Sequence, residues 1–143
     1  MNYITRSVAG IQVSKTNEVF ELNKSLMAFV NELCLINGST FQGRREAAKC
    51  ILKKKSNLPI YVSKKVVLFP TESIRNSACL MVNFMEVSHI TEKKDGCDLV
   101  FKDCTKLRVK QSFSRISKQL EMCERFSLYM ENEKKVFTLD LYK

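Results

Sequence analysis

The sequence predicts a single-domain α+β protein with an amino-terminal hairpin, two short helices, an antiparallel β meander and a carboxyl-terminal amphipathic helix. Its length of 143 residues suits one domain with one core. Apolar residues recur at helical spacing in three segments and alternate with polar residues between turn signals elsewhere. Hydrophobic residues make up 45% of the chain, and glycine and proline are few, so we expect a folded domain rather than a disordered chain.

The amino-terminal segment predicts a β hairpin followed by a helix. Residues 9–14 (AGIQVS) and 18–22 (EVFEL) are extended and are separated by a short turn. The helix follows in SLMAFVNELCLI, with Asn23 or Ser25 as its cap and Gly38 as its end. Its apolar residues recur at helical spacing: Leu26, Phe29, Val30, Leu33 and Ile36. The run is hydrophobic enough that a strand is the competing interpretation.

A second helix, predicted over residues 43–54, is amphipathic and basic. Its apolar residues gather on one side, while Arg45, Lys49 and Lys53 follow one another at i, i+4 and i+8 on another. Lys53–Lys55 lie at its carboxyl end, where the helix dipole favours cations. We interpret these three lysines as surface charge that also attracts anions from a distance.

Arg44 and Arg45 are predicted in the first turn of this helix. The positive end of the helix dipole and the free amide groups of a first turn disfavour cations unless an anion is also present. We therefore interpret the two arginines as an anion site.

Strands are predicted next. The segment NLPIYVSKKVVLFPT gives two short strands around a turn at residues 63–65, and Pro70 ends the second because it has no amide hydrogen to donate. A β block then runs over residues 79–90, turns at Asp95–Gly96, continues as CDLVF, turns near Asp103 and resumes as LRVK. These strands are expected to form the meander.

A basic row crosses one face of the last of these strands. Lys106, Arg108 and Lys110 alternate with the apolar Leu107 and Val109. The row either binds an anion or discourages edge-to-edge pairing, as exposed lysines on strands often do. The pattern alone leaves both interpretations open.

The chain closes with a helix predicted over residues 114–131. Its apolar stripe has spacings of 4, 3, 3 and 4 and consists of Ile116, Leu120, Cys123, Phe126 and Met130. The stripe faces the core or, as the alternative, a dimer partner. A terminal strand is predicted over residues 135–142 (KVFTLDLY).

The charge of the chain points to an anionic partner. Basic residues outnumber acidic ones by 24 to 15, a formal charge of +9, so nucleic acid is the first expectation and an acidic protein or a membrane surface the next. No apolar run has the length of a signal-peptide core or a membrane span. We therefore expect a cytoplasmic protein with reduced cysteines and no membrane partner.

Enzymatic chemistry is not expected. His89 is the one histidine, and no catalytic triad surrounds it in sequence. No closely spaced ligand pair indicates a metal site, since Cys97 and Cys104 are seven residues apart. The four glycines are too scattered for a phosphate-binding loop or a dinucleotide fingerprint, so no cofactor is expected.

Two segments carry a family resemblance. GSTFQGR at residues 38–44 and VLFPTESIR at residues 67–75, followed by Cys79, resemble the ComK family of bacterial competence transcription factors. That family shows a small-residue turn before Gly-Arg and an L-F-P-T-x-S-x-R segment, of which the second is the more specific. The family motif positions in this chain are Gly43, Arg44, Leu68, Phe69, Pro70, Thr71, Ser73 and Arg75.

The resemblance implies a transcriptional regulator that acts as a dimer or higher homo-oligomer. Such a regulator recognises paired A/T-rich boxes in double-stranded DNA, largely through the minor groove, with RNA polymerase as a further candidate partner. The chain departs from many relatives in having Leu80 and Met81 where a tryptophan follows the cysteine. The resemblance also does not include the longer carboxyl tail that in the best-known members is associated with capture by a protease adaptor, so no expectation about that route of degradation follows from it.

The charge pattern agrees with what the resemblance implies. A/T-rich tracts have a narrow minor groove with enhanced negative potential, and arginine enters it at low desolvation cost. The candidates for insertion are Arg44, Arg45 and Arg75. The candidates for phosphate contacts are Lys49, Lys53, Lys64, Lys65, Lys106, Arg108 and Lys110.

Two other functions compete with this interpretation. One is a basic regulatory protein that acts through protein or RNA partners without sequence-specific DNA binding. The other is an enzyme with a phosphorylated ligand held by Arg44 and Arg75. A preference for A/T-rich DNA with a steep salt dependence would favour the DNA-binding function over the first alternative, and nucleotide turnover would be needed to support the second.

Overall fold

The structure, a computed structural model, describes the backbone of residues 1–141 and the side chains of residues 1–132. Every strand pair in this range is antiparallel, and the predicted α+β class is confirmed. The elements in chain order are β1 (Tyr3–Ser7), β2 (Gly10–Lys15), β3 (Glu18–Leu22), α1 (Leu26–Ile36), α2 (Phe41–Leu52), β4 (Ile60–Ser63), β5 (Val66–Pro70), β6 (Met81–Asn83), a 3₁₀ turn (Phe84–Glu86), β7 (Val87–Lys93), β8 (Gly96–Phe101), β9 (Lys106–Val109) and α3 (Phe113–Leu141).

In the described part of the chain, six strands form the larger sheet, in the order β3-β2-β1-β6-β5-β4. Strands β2 and β3 make the predicted amino-terminal hairpin, with Lys15 opposite Glu18 at its closed end. Strand β1 was not predicted; it pairs with β2 along its whole length and with β6 at Tyr3 and Ile4. Strands β4 and β5 form the second predicted hairpin, and Pro70 is the last residue of β5, as expected.

Helix α1 forms as predicted, so the strand interpretation of this segment is wrong. The Ser25 hydroxyl accepts a hydrogen bond from the Ala28 amide at 3.1 Å and thereby caps the first turn. Leu26, Val30 and Cys34 are the buried residues of this helix. Burying three apolar side chains on one face stabilises a helix more than its intrinsic propensity does.

Helix α2 starts at Phe41 rather than at the predicted residue 43. The Thr40 hydroxyl accepts a hydrogen bond from the Gly43 amide at 2.9 Å, which makes Thr40 the cap. Arg44 and Arg45 therefore lie in the second turn, and the prediction that they occupy the first turn is wrong. Because the Thr40 cap already satisfies an end amide, the helix dipole is no argument for an anion at this point.

Strands β7, β8 and β9 form a separate three-stranded meander. Lys93 pairs with Gly96, so the turn consists of residues 94–95, one position before the predicted turn. The single β block predicted over residues 79–90 is wrong, because the 3₁₀ turn separates β6, in the larger sheet, from β7. Asn83 begins this turn, and its side-chain oxygen accepts a hydrogen bond from the Met85 amide at 3.2 Å.

Helix α3 confirms the predicted carboxyl-terminal helix and extends it. The strand predicted over residues 135–142 is wrong for residues 135–141, which continue the helix, and position 142 lies outside the described residues. Extending an existing helix needs no new nucleus, whereas a strand needs a partner edge. The apolar stripe of α3 packs in the core, as the favoured interpretation held. No helix in the described part of the chain has the length and apolar character needed to cross a membrane.

The centre of the larger sheet is buried on both faces. One face packs with α1 and contributes Ile60, Val62, Leu68 and Met81. The opposite face packs with the meander and α3 and contributes Tyr61, Val67, Phe69 and Val82. This two-sided burial explains why β4, β5 and β6 are continuous apolar runs rather than alternating ones.

We expect Gly96→Ala to destabilise the protein more than a second glycine substitution does. Gly96 has φ +140°, and a Cβ there would lie 2.0 Å from the Val109 carbonyl oxygen. The matched control is Gly38→Ala, where φ is +82° but an added Cβ meets no atom within 4 Å. Backbone strain costs roughly 1–2 kcal/mol in the control, whereas Gly96→Ala adds a collision to the strain. Thermal unfolding checks this, and equal losses in the two variants would contradict it.

Candidate nucleic-acid interface

A loop of residues 71–80 joins the buried strands β5 and β6 and contains most of the second sequence motif. Thr71 closes the base of this loop. Its amide donates to the Leu80 carbonyl at 3.0 Å, and its hydroxyl oxygen accepts from the Leu80 amide at 3.0 Å. Thr71 is only 1% exposed, so water does not compete for these bonds. The motif threonine therefore holds the two ends of the loop together.

Glu72 is a buried carboxylate that ties the loop to the segment before α3. One oxygen accepts from Gln111 Nε2 at 2.7 Å and lies 3.3 Å from Lys110 Nζ, and the other accepts from Asn76 Nδ2 at 3.1 Å. Burial raises the pKa of Glu72, but the hydrogen bonds from Asn76, Lys110 and Gln111 together lower it below its ordinary value. The carboxylate is therefore charged near neutral pH.

The tip of the loop is fixed while its basic side chain remains free. Arg6 of β1 donates to the carbonyl oxygens of Asn76 at 2.6 Å and Ile74 at 2.7 Å. The Asn76 amide donates to the Ser73 carbonyl at 2.9 Å, and the Ser73 hydroxyl accepts from the Arg75 amide at 3.4 Å. Arg75 itself is exposed and makes no ion pair within the described residues. The loop presents this guanidinium on an ordered backbone.

A cleft of about 330 Å³ lies between the loop and helix α2. Three basic residues line it: Arg45 from α2, Lys55 from the segment after α2, and Arg75 from the loop. None of the three has an acidic partner among the side chains that the structure describes. Like charges in one cleft repel each other, so a bound anion would stabilise this arrangement. The other lining residues are Phe41, Ser56, Asn57, Leu58, Ile60, Pro70, Ser73, Ile74 and Met81.

The Gln119 side chain of α3 connects two backbone segments that line the cleft. Its Nε2 donates to the Pro70 carbonyl at 3.0 Å and to the Asn57 carbonyl at 3.3 Å. These two carbonyls belong to the end of β5 and to the segment that follows α2. One buried side chain therefore fixes the separation between the backbone near Lys55 and the start of the loop.

Arg44 does not line this cleft. Its guanidinium lies over the Tyr61 ring, 5.8 Å from the centroid, and donates to the Asn37 carbonyl at 3.4 Å. Arg44 is half-buried there, in a second cleft that Glu131 also lines. Consecutive residues of a helix point about 100° apart, and this separates Arg44 from Arg45. The structure brings Arg45 and Arg75 together and places Arg44 against β4.

The predicted phosphate-contacting lysines of α2 and the β4–β5 turn are on the surface. Lys49 lies 3.8 Å from Glu46, a loose pair one helical turn apart. Lys53 is exposed and ends α2 with a left-handed backbone. Lys64 and Lys65 are exposed at the turn between β4 and β5. These lysines flank the helix and the hairpin but do not line the cleft.

The basic row follows β9, which spans Lys106–Val109 rather than the predicted 107–110, so Lys110 lies one residue beyond the strand. Two members of the row have acidic partners. Arg108 Nε donates to Asp98 at 2.5 Å, and this hydrogen bond is the largest cause of a lowered Asp98 pKa. Lys110 contacts Glu72, as described above. Lys106 is exposed at the other end of β9, beside the β2–β3 turn. The row therefore runs away from the cleft, and its end at Lys110 is the part nearest to the loop.

Two residues of the site were not predicted. The sequence pattern indicates Lys55 only as surface charge, and it does not single out Arg6. The Arg6 bonds span 68 and 70 residues of sequence, so no local pattern indicates them. Lys55 is placed at the cleft by the fold of the 53–58 segment, which the charge run alone does not reveal.

Groups that could support metal or covalent chemistry are scattered in the described residues. No cluster of three or more His, Cys, Asp and Glu side chains there could hold a metal ion. All six cysteines are free, and four of them are buried. His89 is exposed and contacts the neighbouring Ser88 hydroxyl at 3.2 Å.

Comparison with protein families identifies a match over nearly the whole chain. Residues 3–135 match the family model described as ComK protein. No curated protein and no solved structure matches the chain. The matched range includes the loop, helix α2, Arg6 and every residue that lines the cleft.

We expect Glu72→Gln to weaken the acid sensitivity of the fold. Because the folded-state pKa of Glu72 is lowered, its carboxylate stabilises the fold above the unfolded-state pKa of about 4.3. That contribution disappears as the pH falls through the folded-state pKa. The variant should be less stable than wild type at neutral pH, and the gap should narrow in acid.

Chemical unfolding of wild type and Glu72→Gln between neutral pH and about pH 3 measures this gap. Glu124→Gln is the matched control, because Glu124 is exposed and makes no ion pair within the described side chains. A gap for Glu72→Gln that does not change with pH would show that the charge of Glu72 is not what stabilises the loop.

Proposed function

The chain belongs to the ComK family of competence transcription factors, and we propose that it binds A/T-rich DNA through the minor groove with Arg45 and Arg75. The observation that supports this proposal is the convergence of these two arginines with Lys55 in one cleft without an acidic partner in the described residues. The proposal extends the family's role as a regulator of transcription to particular side chains.

The shape and charge of A/T-rich DNA favour binding by arginine. A narrow minor groove concentrates the negative potential of the two phosphate chains, and a guanidinium enters it with little loss of hydration. Arg75 stands at the tip of a loop that hydrogen bonds hold on both sides, so little conformational freedom is lost when it inserts. Arg45 lies on helix α2, which lines the same cleft, and provides a second positive charge.

The lysines around the cleft are proposed to contact phosphates. Lys55 lines the cleft, and Lys49 and Lys53 continue the basic surface along α2. Each phosphate contact releases counterions and makes binding depend on salt. Lys64 and Lys65 are proposed to lengthen this surface.

The basic row on β9 is proposed to contribute less. Arg108 is engaged by Asp98 and Lys110 by Glu72, so contacting a phosphate would require sharing or breaking these pairs. Lys106 has no acidic partner within the described side chains but lies at the far end of the strand. We therefore propose a supporting role for this row in long-range attraction.

Self-association is part of the proposal. The minor groove separates A·T from G·C but barely A·T from T·A, so one copy reads little sequence. A homodimer or a larger homo-oligomer on paired A/T boxes would add specificity through the spacing of its sites. RNA polymerase is a further proposed partner of such a regulator.

We expect wild type to prefer an A/T-rich duplex over a G·C-rich duplex by roughly tenfold or more, about 1.4 kcal/mol. Arg45→Ala and Arg75→Ala should each reduce this preference, because each removes a charge from the groove. Fluorescence anisotropy with both duplexes over a salt titration measures the effect. Lys102→Ala is the matched control, since it removes one charge from an exposed turn at the other end of the meander.

Two results would contradict the proposal. One is equal affinity of the wild-type protein for both duplexes, which would favour the alternative of a protein or RNA partner. The other is an undiminished A/T preference in the double variant R45A/R75A, which would place the reading surface elsewhere on the protein.

The prediction that Arg44 enters the groove has its own test. Because Arg44 packs over Tyr61, we expect Arg44→Ala to lower the thermal midpoint and to leave most of the A/T preference in place. Anisotropy and thermal unfolding of the same sample measure both effects. If Arg44→Ala loses as much A/T preference as Arg75→Ala does and keeps the wild-type thermal midpoint, Arg44 enters the minor groove as the sequence predicts.

A further inference from the structure

Arg6 lies where the pairing of β1 with β6 stops. Strand β1 pairs with β6 only at Tyr3 and Ile4, although it pairs with β2 as far as Ser7. Beyond Ile4 the side of β1 that faces β6 has no strand partner among the described residues, and the loop of residues 71–80 lies there instead. The Arg6 guanidinium contacts that loop with two hydrogen bonds of 2.6 and 2.7 Å.

The two acceptors of Arg6 flank the proposed groove-reading residue. They are the carbonyl oxygens of Ile74 and Asn76, one on each side of Arg75 in sequence. Charged donors make stronger hydrogen bonds than neutral ones, and a planar guanidinium can reach two acceptors at a fixed angle. Arg6 thus restrains the backbone on both sides of Arg75 while the Arg75 side chain stays free.

The rest of the loop does not depend on Arg6. Thr71 and Leu80 close its base, and Glu72 is held by Gln111 and Lys110. The Cys79 thiol also donates to the Glu72 carbonyl at 3.3 Å. Loss of the Arg6 side chain should therefore loosen the tip and leave the base closed.

We propose that Arg6 is a positioning residue that sets the A/T preference of the site by holding the loop tip, without contacting DNA itself. This inference rests on the proposed function. Minor-groove insertion tolerates little displacement of the guanidinium, whereas attraction to phosphates tolerates much more. Loosening the tip therefore removes preference between duplexes and leaves nonspecific affinity nearly unchanged.

The test is a double-mutant cycle between Arg6 and Arg75. The variants are Arg6→Met, which keeps the apolar stem and removes the donors, Arg75→Ala, and the double variant R6M/R75A. Affinity for the A/T-rich and the G·C-rich duplex is measured by anisotropy over a salt titration, and thermal unfolding is recorded for each protein. Lys102→Ala controls for the loss of one charge.

If the inference is correct, Arg6→Met loses most of the preference that Arg75→Ala loses, and the double variant loses no more than Arg75→Ala alone. The affinity of Arg6→Met for the G·C-rich duplex should match that of Lys102→Ala. Its salt slope should also stay at the wild-type value, because a lost phosphate contact would lower the slope by about 0.9.

Several results would overturn the inference. The first is an undiminished A/T preference in Arg6→Met, and the second is a salt slope of Arg6→Met below the wild-type value. The third is a loss of preference in R6M/R75A equal to the sum of the two single losses, because a purely structural effect of Arg6 would be additive. A wild-type protein without A/T preference would overturn the proposed function and this inference with it. If Arg6→Met does not fold, Arg6→Gln takes its place, because the glutamine amide nitrogen lies two bonds closer to the backbone than the terminal guanidinium nitrogens and falls short of the two carbonyl oxygens. An undiminished preference in that variant overturns the inference equally.

Discussion

Strand β5 is buried on both faces, and the position of the proposed DNA-contacting loop follows from this constraint. Leu68 packs towards α1 and Phe69 towards α3, and neither is exposed. A shift of one residue would exchange the two cores, so the register of β5 is fixed. The strand ends at Pro70, and the loop begins at the next residue, Thr71, which closes the loop base. In the consecutive motif L-F-P-T, the leucine and the phenylalanine each pack into one of the two hydrophobic clusters. The proline ends the strand, and the threonine closes the loop.

The elements whose signals are local could be predicted from the sequence, and those that depend on distant partners could not. The Ser25 cap and the strand end at Pro70 are properties of single residues in their own segments. The break between the two sheets lies at Asn83, whose side-chain oxygen accepts a hydrogen bond from the Val67 amide 16 residues away. Strand β1 was missed because only Tyr3 and Ile4 pair with β6, and its short sequence carries little alternation.

The candidate site shows the same division between local and distant information. Charge and the family resemblance indicated Arg45 and Arg75 as separate basic residues, but 30 positions of sequence separate them. Their meeting in one cleft depends on the packing of α2 against β4 and on the bracing by Gln119. The separation of Arg44 from Arg45 was within reach of helical geometry, since neighbours on a helix point about 100° apart. The Arg6 contact could not be predicted from a local pattern, because its two hydrogen bonds span 68 and 70 residues of sequence.

We propose that the loop between β5 and β6 reads DNA from the minor groove, and replacing guanine with inosine in the duplex separates minor-groove from major-groove reading. An I·C pair presents the major-groove pattern of G·C, but it lacks the guanine amino group that distinguishes G·C from A·T in the minor groove. Affinity of the wild-type protein should be measured for three duplexes of equal length, with A·T, I·C or G·C pairs in the boxes. Minor-groove reading predicts that the I·C duplex binds like the A·T duplex. If the I·C duplex binds like the G·C duplex, the protein does not distinguish the two base pairs from the minor groove, and the proposed mode of reading is wrong.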